Sequence, residues 1–407
     1  MGIPMIISVD DHIVEPPGLW QDRAPASRRE VVPKVERKLG KIIFDGRTQT
    51  AFVECDDDAV PCDLWHYEDV RFPLSRGFAA SSFPLEERIP VPITYEDMRP
   101  GCFEQSARLE DMTLNHTEAS LCFPTVPRFC GQLFLQRTDK DVAYEAIRIF
   151  NDWMIDEWCG GAGKGRLIPL TLVPLWDADA AAKEVRRCAD KGSHAIAFSE
   201  CPPALGLPSI YSDHWDPLLE ACDDTETVIS QHIGSSSRLP STAPDNPPMT
   251  VALLTFEGAM HACVDWLLSG KLEQFKSLRV ALSEGQMGWM PFVLERADNV
   301  WRNHAAFSDY VMNLRSRVPR KPSSYVPDRL FSCIFDDLHG LASREIVGMR
   351  QIMFETDYPH GDSTWPQSKQ VAEKLCAEAG LTDEEVHQFV RGNAIACYGL
   401  HRFGITE

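Results

Sequence analysis

The chain has 407 residues, of which 44% are hydrophobic, and its formal net charge is −20. This length allows a large buried core, and the acidic balance argues against nucleic-acid and anionic-membrane partners, since both require a cationic face. Thirteen cysteines with no CxxC pair, no signal-peptide pattern and no apolar run of about 18 residues predict a cytoplasmic protein with reduced thiols.

Short apolar segments alternate with amphipathic helical patterns along most of the chain, which predicts βα units and a parallel sheet. Eight strands favour a closed (β/α)8 TIM barrel over a doubly wound open sheet, because no GxGxxG turn follows the first strand. The predicted strands are Met5–Val9, Ala119–Phe123, Leu167–Val173, Ala195–Ser199, Thr227–Gln231, Arg279–Ser283, Leu330–Phe335 and Gln351–Glu355. The predicted helices between them are Lys140–Trp158, Ala178–Lys191, Trp215–Cys222, Val251–Ser269 and Trp289–Arg315.

Residues 20–100 do not follow this alternation. They are rich in Pro, Arg and Asp, and Lys41–Cys55 has the pattern of a hairpin around Asp45 and Gly46. We therefore expect a single domain over residues 1–407 with a long insertion after the first strand, at the end of the barrel where active sites lie. The C-terminal helices are expected within 368–400, as Ser368–Ala379 and Thr382–Tyr398, the second opened by a capping box.

Four residues at three strand ends are typical of a metal site. Asp10 and His12 end the first strand two residues apart, so both face the same side. His232 ends the fifth strand, and Asp357 ends the eighth. Nitrogen and oxygen ligands of these kinds suit zinc, iron or manganese. Each residue alone also fits a strand-end turn or a hydrogen-bonded loop, so the prediction depends on the combination.

Further residues are candidates for proton transfer or metal binding. Glu284 follows the sixth strand and could act as a general acid or base, or bind a second metal. His360 follows Asp357 after a proline turn, and both could move protons during hydrolysis. Glu15 is a candidate for supporting the metal ligands, and Arg128 for anchoring an anionic group.

These motifs together resemble the amidohydrolase superfamily, in its second large branch of metal-dependent hydrolases and aromatic-acid decarboxylases, related to aminocarboxymuconate semialdehyde decarboxylase. The resemblance spans nearly the whole chain, and ETDYPHGDSTWP is its most specific motif. The matching segments are SVDDHIVEPP at 8–17, SLCFPTVPRFCGQ at 120–132, VISQHIGS at 228–235, ALSEGQMGWMPFVLERAD at 281–298, ETDYPHGDSTWP at 355–366 and GNAIACYGL at 392–400.

The resemblance implies that one or two divalent metal ions are held by Asp10, His12, His232 and Asp357. This chain departs from many members in having an aspartate in place of a histidine on the first strand, and Glu284 in place of a sixth-strand histidine. The presence of Glu284 in place of this histidine argues against decarboxylation and favours a two-metal site.

The predicted function is hydrolysis of an ester, thioester, lactone or amide in a hydrophobic small molecule by metal-activated water, with Asp357, Glu284 and His360 as catalytic residues. Nonoxidative decarboxylation of a carboxylic acid is the alternative, and a ligand-binding barrel without catalysis is a third hypothesis. A homo-oligomer is compatible with the resemblance, but the sequence contains no readable interface.

Overall fold

The computed structural model describes residues 2–44 and 50–406. Over these residues the fold is α/β, with parallel strands separated by helices and one antiparallel sheet. In chain order, the strands are β1 Ile6–Ile13, β2 Lys34–Phe44, β3 Thr50–Glu54, β4 Val60–Tyr67, β5 Val70–Pro73, β6 Thr117–Pro124, β7 Leu167–Ile168, β8 Ala195–Ala197, β9 Val228–His232, β10 Val280–Ser283, β11 Leu330–Ile334 and β12 Ile352–Phe354.

Eight of these strands form two parallel sheets. One has the order β1-β6-β7 and the other the order β12-β11-β10-β9-β8. Backbone contacts join the sheets at both edges: Thr171, just after β7, bridges to Ile196 of β8, and the Asp357 amide donates to the Asp10 carbonyl at 2.9 Å. The carboxyl ends of all eight strands therefore lie on one side of the fold.

Buried apolar side chains explain these strands. Every residue of β1, β8, β9, β10, β11 and β12 is buried, as expected of parallel strands covered on both faces. Strand β7 is shorter than the predicted Leu167–Val173, because Pro169 has no amide hydrogen to donate. Strand β1 extends further than the predicted Met5–Val9. It continues to Ile13, so Asp10 and His12 lie within the strand, near its carboxyl end.

Helices separate most of the parallel strands. Residues predicted as one helix over Trp289–Arg315 form three, because the chain breaks at His304 and at Asn313, whose φ is 51°. The α-helices are Leu19–Arg23, Gln105–Leu114, Gln132–Leu135, Lys140–Trp153, Ala178–Asp190, Asp216–Thr225, Pro248–Leu254, Glu257–Ser269, Lys271–Gln274, Met290–Asn303, Ala305–Met312, Leu314–Arg317, Leu338–Ala342, Arg344–Val347, Ser368–Glu378, Asp383–His387 and Asn393–Tyr398.

One helical stretch bears on the expectation that the chain contains no membrane span. Pro248–Ser269 has the length and composition of a membrane span, with a mean hydropathy of 1.3 over its most apolar window. The sequence expectation concerned uninterrupted apolar runs, and Glu257 and Asp265 interrupt this one. A single such stretch is weak evidence for a span, since core helices pass the same test. Its second half packs one face against the core through Cys263 and Trp266, while 28% of the apolar window as a whole is buried.

The segment between β1 and β6 contains an antiparallel sheet of order β3-β2-β4-β5. The predicted hairpin is present, since β2 pairs with β3 from Gly40 and Glu54 onward. Its expected turn at Asp45 and Gly46 lies outside the described residues. Trp65 of β4 packs edge-on against Trp20, with ring centroids 5.2 Å apart, so the sheet is anchored to the helix that follows β1.

Candidate metal centre

Four side chains meet at the carboxyl ends of β1, β9 and β12. The Nε2 atom of His12 lies 3.1 Å from Nε2 of His232, 3.5 Å from Oδ1 of Asp10 and 3.4 Å from Oδ1 of Asp357. The Nε2 atom of His232 lies 3.5 Å from the other carboxylate oxygen of Asp10. The fold thus brings together the four residues that the sequence nominates as metal ligands.

His232 has one ring nitrogen engaged and one free to bind a metal. Its Nδ1 lies 2.6 Å from the Ile233 carbonyl oxygen, a contact in which Nδ1–H donates and Nε2 keeps its lone pair. Burial lowers the pKa of His232 to about 3, so the ring is neutral at physiological pH. Phe129 stacks on this ring with centroids 4.2 Å apart, which fixes its plane.

Asp10 and Asp357 are fully buried, and no carboxylate oxygen of either has a hydrogen-bond partner among the described residues. Burial, together with repulsion from neighbouring carboxylates, raises the pKa of both well above the ordinary value. A buried carboxylate without partners costs several kcal/mol. The fold must therefore compensate these groups with protons or with a cation.

Glu284 and His360 complete the cluster. Glu284 Oε2 lies 3.4 Å from His232 Nε2, and burial with repulsion from Asp362 raises its pKa to about 8. His360 stacks on His12 at 3.7 Å and places its Nδ1 atom 3.1 Å from Oδ1 of Asp357. Burial lowers the pKa of His360 to about 4, so it is neutral and can accept a proton.

Two backbone positions hold the carboxylates in place at some conformational cost. Glu284 has φ 53° and Asp357 has φ 51°, in the left-handed region that non-glycine residues rarely occupy. The Glu284 amide donates to Oε2 of Glu355 at 3.1 Å, which links the ends of β10 and β12. Such strain is characteristic of functional sites.

Asp11 is a residue whose importance the sequence reasoning missed. It accepts hydrogen bonds from Ser8 Oγ at 3.0 Å, from Thr356 Oγ1 at 2.5 Å, from the Tyr358 amide at 3.1 Å and from the Ser120 hydroxyl. These donors come from β1, β6 and the segment after β12. Asp11 therefore ties together the segments that carry Asp10, His12 and Asp357.

Arg108 is a second missed residue, and it supports His12. It is fully buried, and one of its terminal nitrogens donates to the His12 carbonyl oxygen at 2.6 Å. Its guanidinium lies over the Tyr358 ring at 4.4 Å, and its positive charge acts on Asp11. No motif pointed to this arginine, because its contacts with His12 and Tyr358 join segments far apart in sequence.

Glu355 and Asp362 were also missed, although the alternation in Glu355-Thr356-Asp357 could have placed Glu355 beside Asp357. Glu15, by contrast, does not support the metal ligands. Its carboxylate accepts from the amides of Thr125 and Val126 at 3.1 and 2.9 Å, so it fixes the loop after β6.

The donor set defines what this centre can hold. Two neutral imidazole nitrogens and two carboxylates, with unpartnered atoms directed at one another, suit a divalent ion such as zinc, manganese or iron. The groups of residues with ligand atoms within 4.8 Å include Asp10, His12 and His232, as well as His12, Asp357 and His360.

A family model and a solved structure, both described as amidohydrolase, match this chain. The family model described as amidohydrolase matches residues 59–400. An amidohydrolase structure from Mycobacterium avium subsp. paratuberculosis K-10 is 18% identical, with a TM-score of 0.68, and the alignment covers 97% of this chain and 99% of that one. No curated protein sequence matches significantly.

Two decarboxylase structures are also similar in fold. A dihydroxybenzoic acid decarboxylase from Polaromonas sp. JS666, with bound manganese and 2-nitroresorcinol, is 17% identical with a TM-score of 0.59, covering 79% of this chain and 92% of that chain. The 2,6-dihydroxybenzoate decarboxylase from Rhizobium is 16% identical with a TM-score of 0.56, covering 98% and 100%. At these identities, the likeness establishes the fold alone.

Proposed function

This chain belongs to the amidohydrolase family, a family of metal-dependent enzymes, and we propose that it hydrolyses an ester, thioester, lactone or amide of a small hydrophobic molecule. Asp10, His12, His232 and Asp357 would hold the divalent metal ion. The observation that carries this proposal is the set of unpartnered, buried oxygens of Asp10 and Asp357, which converge with the Nε2 atoms of both histidines.

We further infer that the two parallel sheets form one closed (β/α)8 barrel. The support is the hydrogen bonding at both sheet edges, through Thr171 and through Asp357. On this view residues 20–100, with their antiparallel sheet, are an insertion into a single domain over 1–407. The metal centre then lies at the carboxyl end of the barrel, where enzymes of this architecture place their active sites.

A bound ion would polarise the scissile carbonyl and lower the pKa of a water molecule toward about 7. Asp357 would accept the proton of the attacking water. His360, 3.1 Å from the same carboxylate, can take that proton and deliver it to the leaving group. Glu284 is a second candidate for that delivery.

Aromatic side chains restrict what approaches these residues. Phe123 and Phe129 both lie against His232, with centroids 5.1 and 4.2 Å from it. Apolar walls next to a metal favour an aromatic or aliphatic substrate and exclude bulk water. Arg128 directly precedes Phe129, is half-buried and forms no ion pair among the described residues. It could bind an anionic substituent of the substrate.

Nonoxidative decarboxylation is the second candidate, favoured by the several decarboxylases among the similar structures. In that reaction the centre would bind the substrate carboxylate and an adjacent oxygen. Glu284, at the position of the sixth-strand histidine, weighs against it.

The test is a substrate panel assayed with protein loaded with Zn²⁺ or Mn²⁺. Aryl esters, thioesters, lactones and anilides report hydrolysis, and 2,6-dihydroxybenzoate reports decarboxylation through release of carbon dioxide. We expect turnover of at least one hydrolytic substrate, reduced about 100-fold or more in Asp357→Asn with an unchanged circular dichroism spectrum. Carbon dioxide release without any hydrolysis would favour the decarboxylase, and full activity in Asp357→Asn would refute the role of that residue.

A further inference from the structure

Glu200 is a buried carboxylate that the proposed mechanism does not use. It lies just after β8, on the same side of the fold as the proposed metal ligands, and is only 4% exposed. Its Oε1 atom accepts three hydrogen bonds: from the Gly234 amide at 2.9 Å, from the Ser236 amide at 3.3 Å and from Ser236 Oγ at 2.8 Å. A single carboxylate oxygen thus holds the loop that follows β9, residues 234–236.

The backbone next to Glu200 holds the same loop. The Glu200 amide donates to Ser235 Oγ at 2.8 Å, and Ser199 Oγ donates to the Ser235 carbonyl oxygen at 3.2 Å. Gln231, the residue before His232, donates from Nε2 to the Ser199 carbonyl oxygen at 2.7 Å. The ends of β8 and β9 are therefore joined by hydrogen bonds on both sides of His232 in the sequence.

The loop held by Glu200 determines two contacts of the His232 ring. The Nδ1 atom of that ring lies 2.6 Å from the carbonyl oxygen of Ile233, which directly precedes Gly234. An added Cβ at Gly234 would lie 3.1 Å from Cε2 of Phe129, so the Gly234 backbone lies close to the ring that stacks on His232. The partner of the second ring nitrogen usually orients a metal-binding histidine. A shift of this loop would therefore turn the imidazole of His232.

The packing around Glu200 leaves its carboxylate little freedom to move. Its Oε2 atom has no hydrogen-bond partner among the described residues and lies against Gly258 of the helix Glu257–Ser269. A Cβ added at Gly258 would lie 2.0 Å from Oε2, too close for any side chain. The carboxylate is thus fixed between this helix and the loop. A buried oxygen without a partner costs free energy, so stability alone does not account for a glutamate here.

We propose that Glu200 is a positioning residue for His232. By holding residues 234–236 through Oε1, it fixes the Ile233 carbonyl and the Phe129 ring, and these two contacts orient the imidazole toward the metal ion. Glu200 acts through the loop and is not itself a ligand, since it belongs to none of the groups of converging ligand atoms among the described residues. This inference rests on the proposed metal site.

The test is the Zn²⁺ affinity of the full-length protein, measured by competition with a chromophoric chelator. We expect Glu200→Ala to lower this affinity about 10- to 100-fold, the range typical of residues that orient a metal ligand. Glu200→Gln should restore most of the affinity, because its amide oxygen can accept the same three hydrogen bonds. Ser236→Ala removes one of the three bonds and should cause a smaller loss.

A control variant separates orientation of the ligand from a general loss of stability. Glu184 is 1% exposed in the helix Ala178–Asp190, and it accepts from Asn151 Nδ2 at 2.8 Å and from Arg187 Nε at 2.9 Å, outside the proposed site. Glu184→Ala and Glu200→Ala should both lower the free energy of unfolding, because each removes the acceptor of buried hydrogen bonds. Only Glu200→Ala should lower the Zn²⁺ affinity and change the visible absorption spectrum of the Co²⁺-loaded protein, which reports the ligand geometry.

Two results would overturn the positioning role of Glu200. The first is a loss of stability in Glu200→Ala with an unchanged Zn²⁺ affinity and an unchanged Co²⁺ spectrum. The second is an equal loss of affinity in Glu200→Gln and Glu200→Ala, since the amide keeps the acceptor. If Glu200→Ala does not fold, a reduced affinity in Ser236→Ala supports the proposal and an unchanged one overturns it. No Zn²⁺ bound by the unmodified protein would overturn the proposed metal site itself, and this inference with it.

Discussion

The Nε2 atoms of His12 and His232 face each other at 3.1 Å, although the residues belong to different parallel sheets and are 220 positions apart in sequence. Burial lowers the pKa of both, and the Nδ1 of His232 is already engaged with a carbonyl. Two neutral imidazole lone pairs at this separation repel each other unless a proton or a metal ion lies between them. The pair is therefore a sensitive place to test for metal binding.

We predict that His232→Ala lowers the affinity for Zn²⁺ or Mn²⁺ by more than about 100-fold, which exceeds the typical loss on mutation of a residue that only supports a metal ligand. Competition with a chromophoric chelator measures this affinity. The matched control is His401→Ala, at an exposed position, which should leave the affinity unchanged. Equal affinity in both variants would remove His232 from the ligand set.

We predict that Asp11→Asn weakens metal binding by about 10- to 100-fold without removing a ligand, because Asp11 orients the strand ends through four hydrogen bonds. It should also reduce the free energy of unfolding by about 1–3 kcal/mol, since the amide group of Asn leaves part of this buried hydrogen-bond network unmatched. Chelator competition and urea unfolding give the two quantities.

The control for Asp11→Asn is Asp245→Asn, which makes the same change at an exposed position in the loop after β9. It should alter neither quantity. Loss of stability in Asp11→Asn with unchanged metal affinity would show that Asp11 supports the fold but does not position the ligands.

Glu15 gives a prediction about pH. Burial raises its pKa in the folded protein from 4.5 to about 8, so the folded state retains a proton that the unfolded state releases. The contribution of Glu15 to stability is complete below about pH 4.5 and is lost as pH rises to about 8, with a slope of about 1.4 kcal/mol per pH unit.

The measurement is urea unfolding of the metal-loaded protein and of Glu15→Gln between pH 5 and 9. Glu15→Gln also changes the free energy of unfolding by a pH-independent amount, because it alters hydrogen bonds. The diagnostic quantity is therefore how the difference in the free energy of unfolding between the two proteins changes with pH. We expect the unmodified protein to lose stability relative to the variant as pH rises to about 8 and to change little above it. A difference that does not vary with pH would mean that Glu15 is ionised in the folded protein.

Gly234 gives a prediction about the aromatic wall of the site. Its φ is +79°, and an added Cβ would lie 3.1 Å from Cε2 of Phe129, the ring that stacks on His232. Gly206 has a similar φ of +76° with no atom within 4 Å. Both Gly→Ala variants should lose about 1 kcal/mol of stability through backbone strain.

Only Gly234→Ala should affect function, with kcat/KM reduced about 10-fold because Phe129 must move. Steady-state kinetics on the best substrate of the panel measures this, and thermal unfolding checks that the two variants are equally strained. Equal kinetics in the two variants would mean that the Phe129 stacking does not matter for turnover.

The sequence predicted the parallel strands well and nominated candidate ligands that the fold brings together, because both depend on local patterns. Buried strands appear as apolar runs, and Asp10, His12, His232 and Asp357 lie at their ends. It could not reveal Arg108 or the donors to Asp11, because contacts in this network join segments up to 348 positions apart that only the folded chain brings together. It also missed the interruption of Trp289–Arg315, since the helical pattern continues across Asn313 while the backbone turns there.

The proposed centre also lies directly on the junction between the two sheets. There the Asp357 amide donates to the Asp10 carbonyl at 2.9 Å and the His12 amide to the Tyr358 carbonyl at 2.6 Å. A metal ion bound by the side chains of these strand ends would add a further link between the two sheets at this junction. The ion would then stabilise the fold as well as take part in the reaction. After its removal, amide hydrogens at this junction should exchange with solvent faster than those between β9 and β10, because the junction could then open locally without global unfolding.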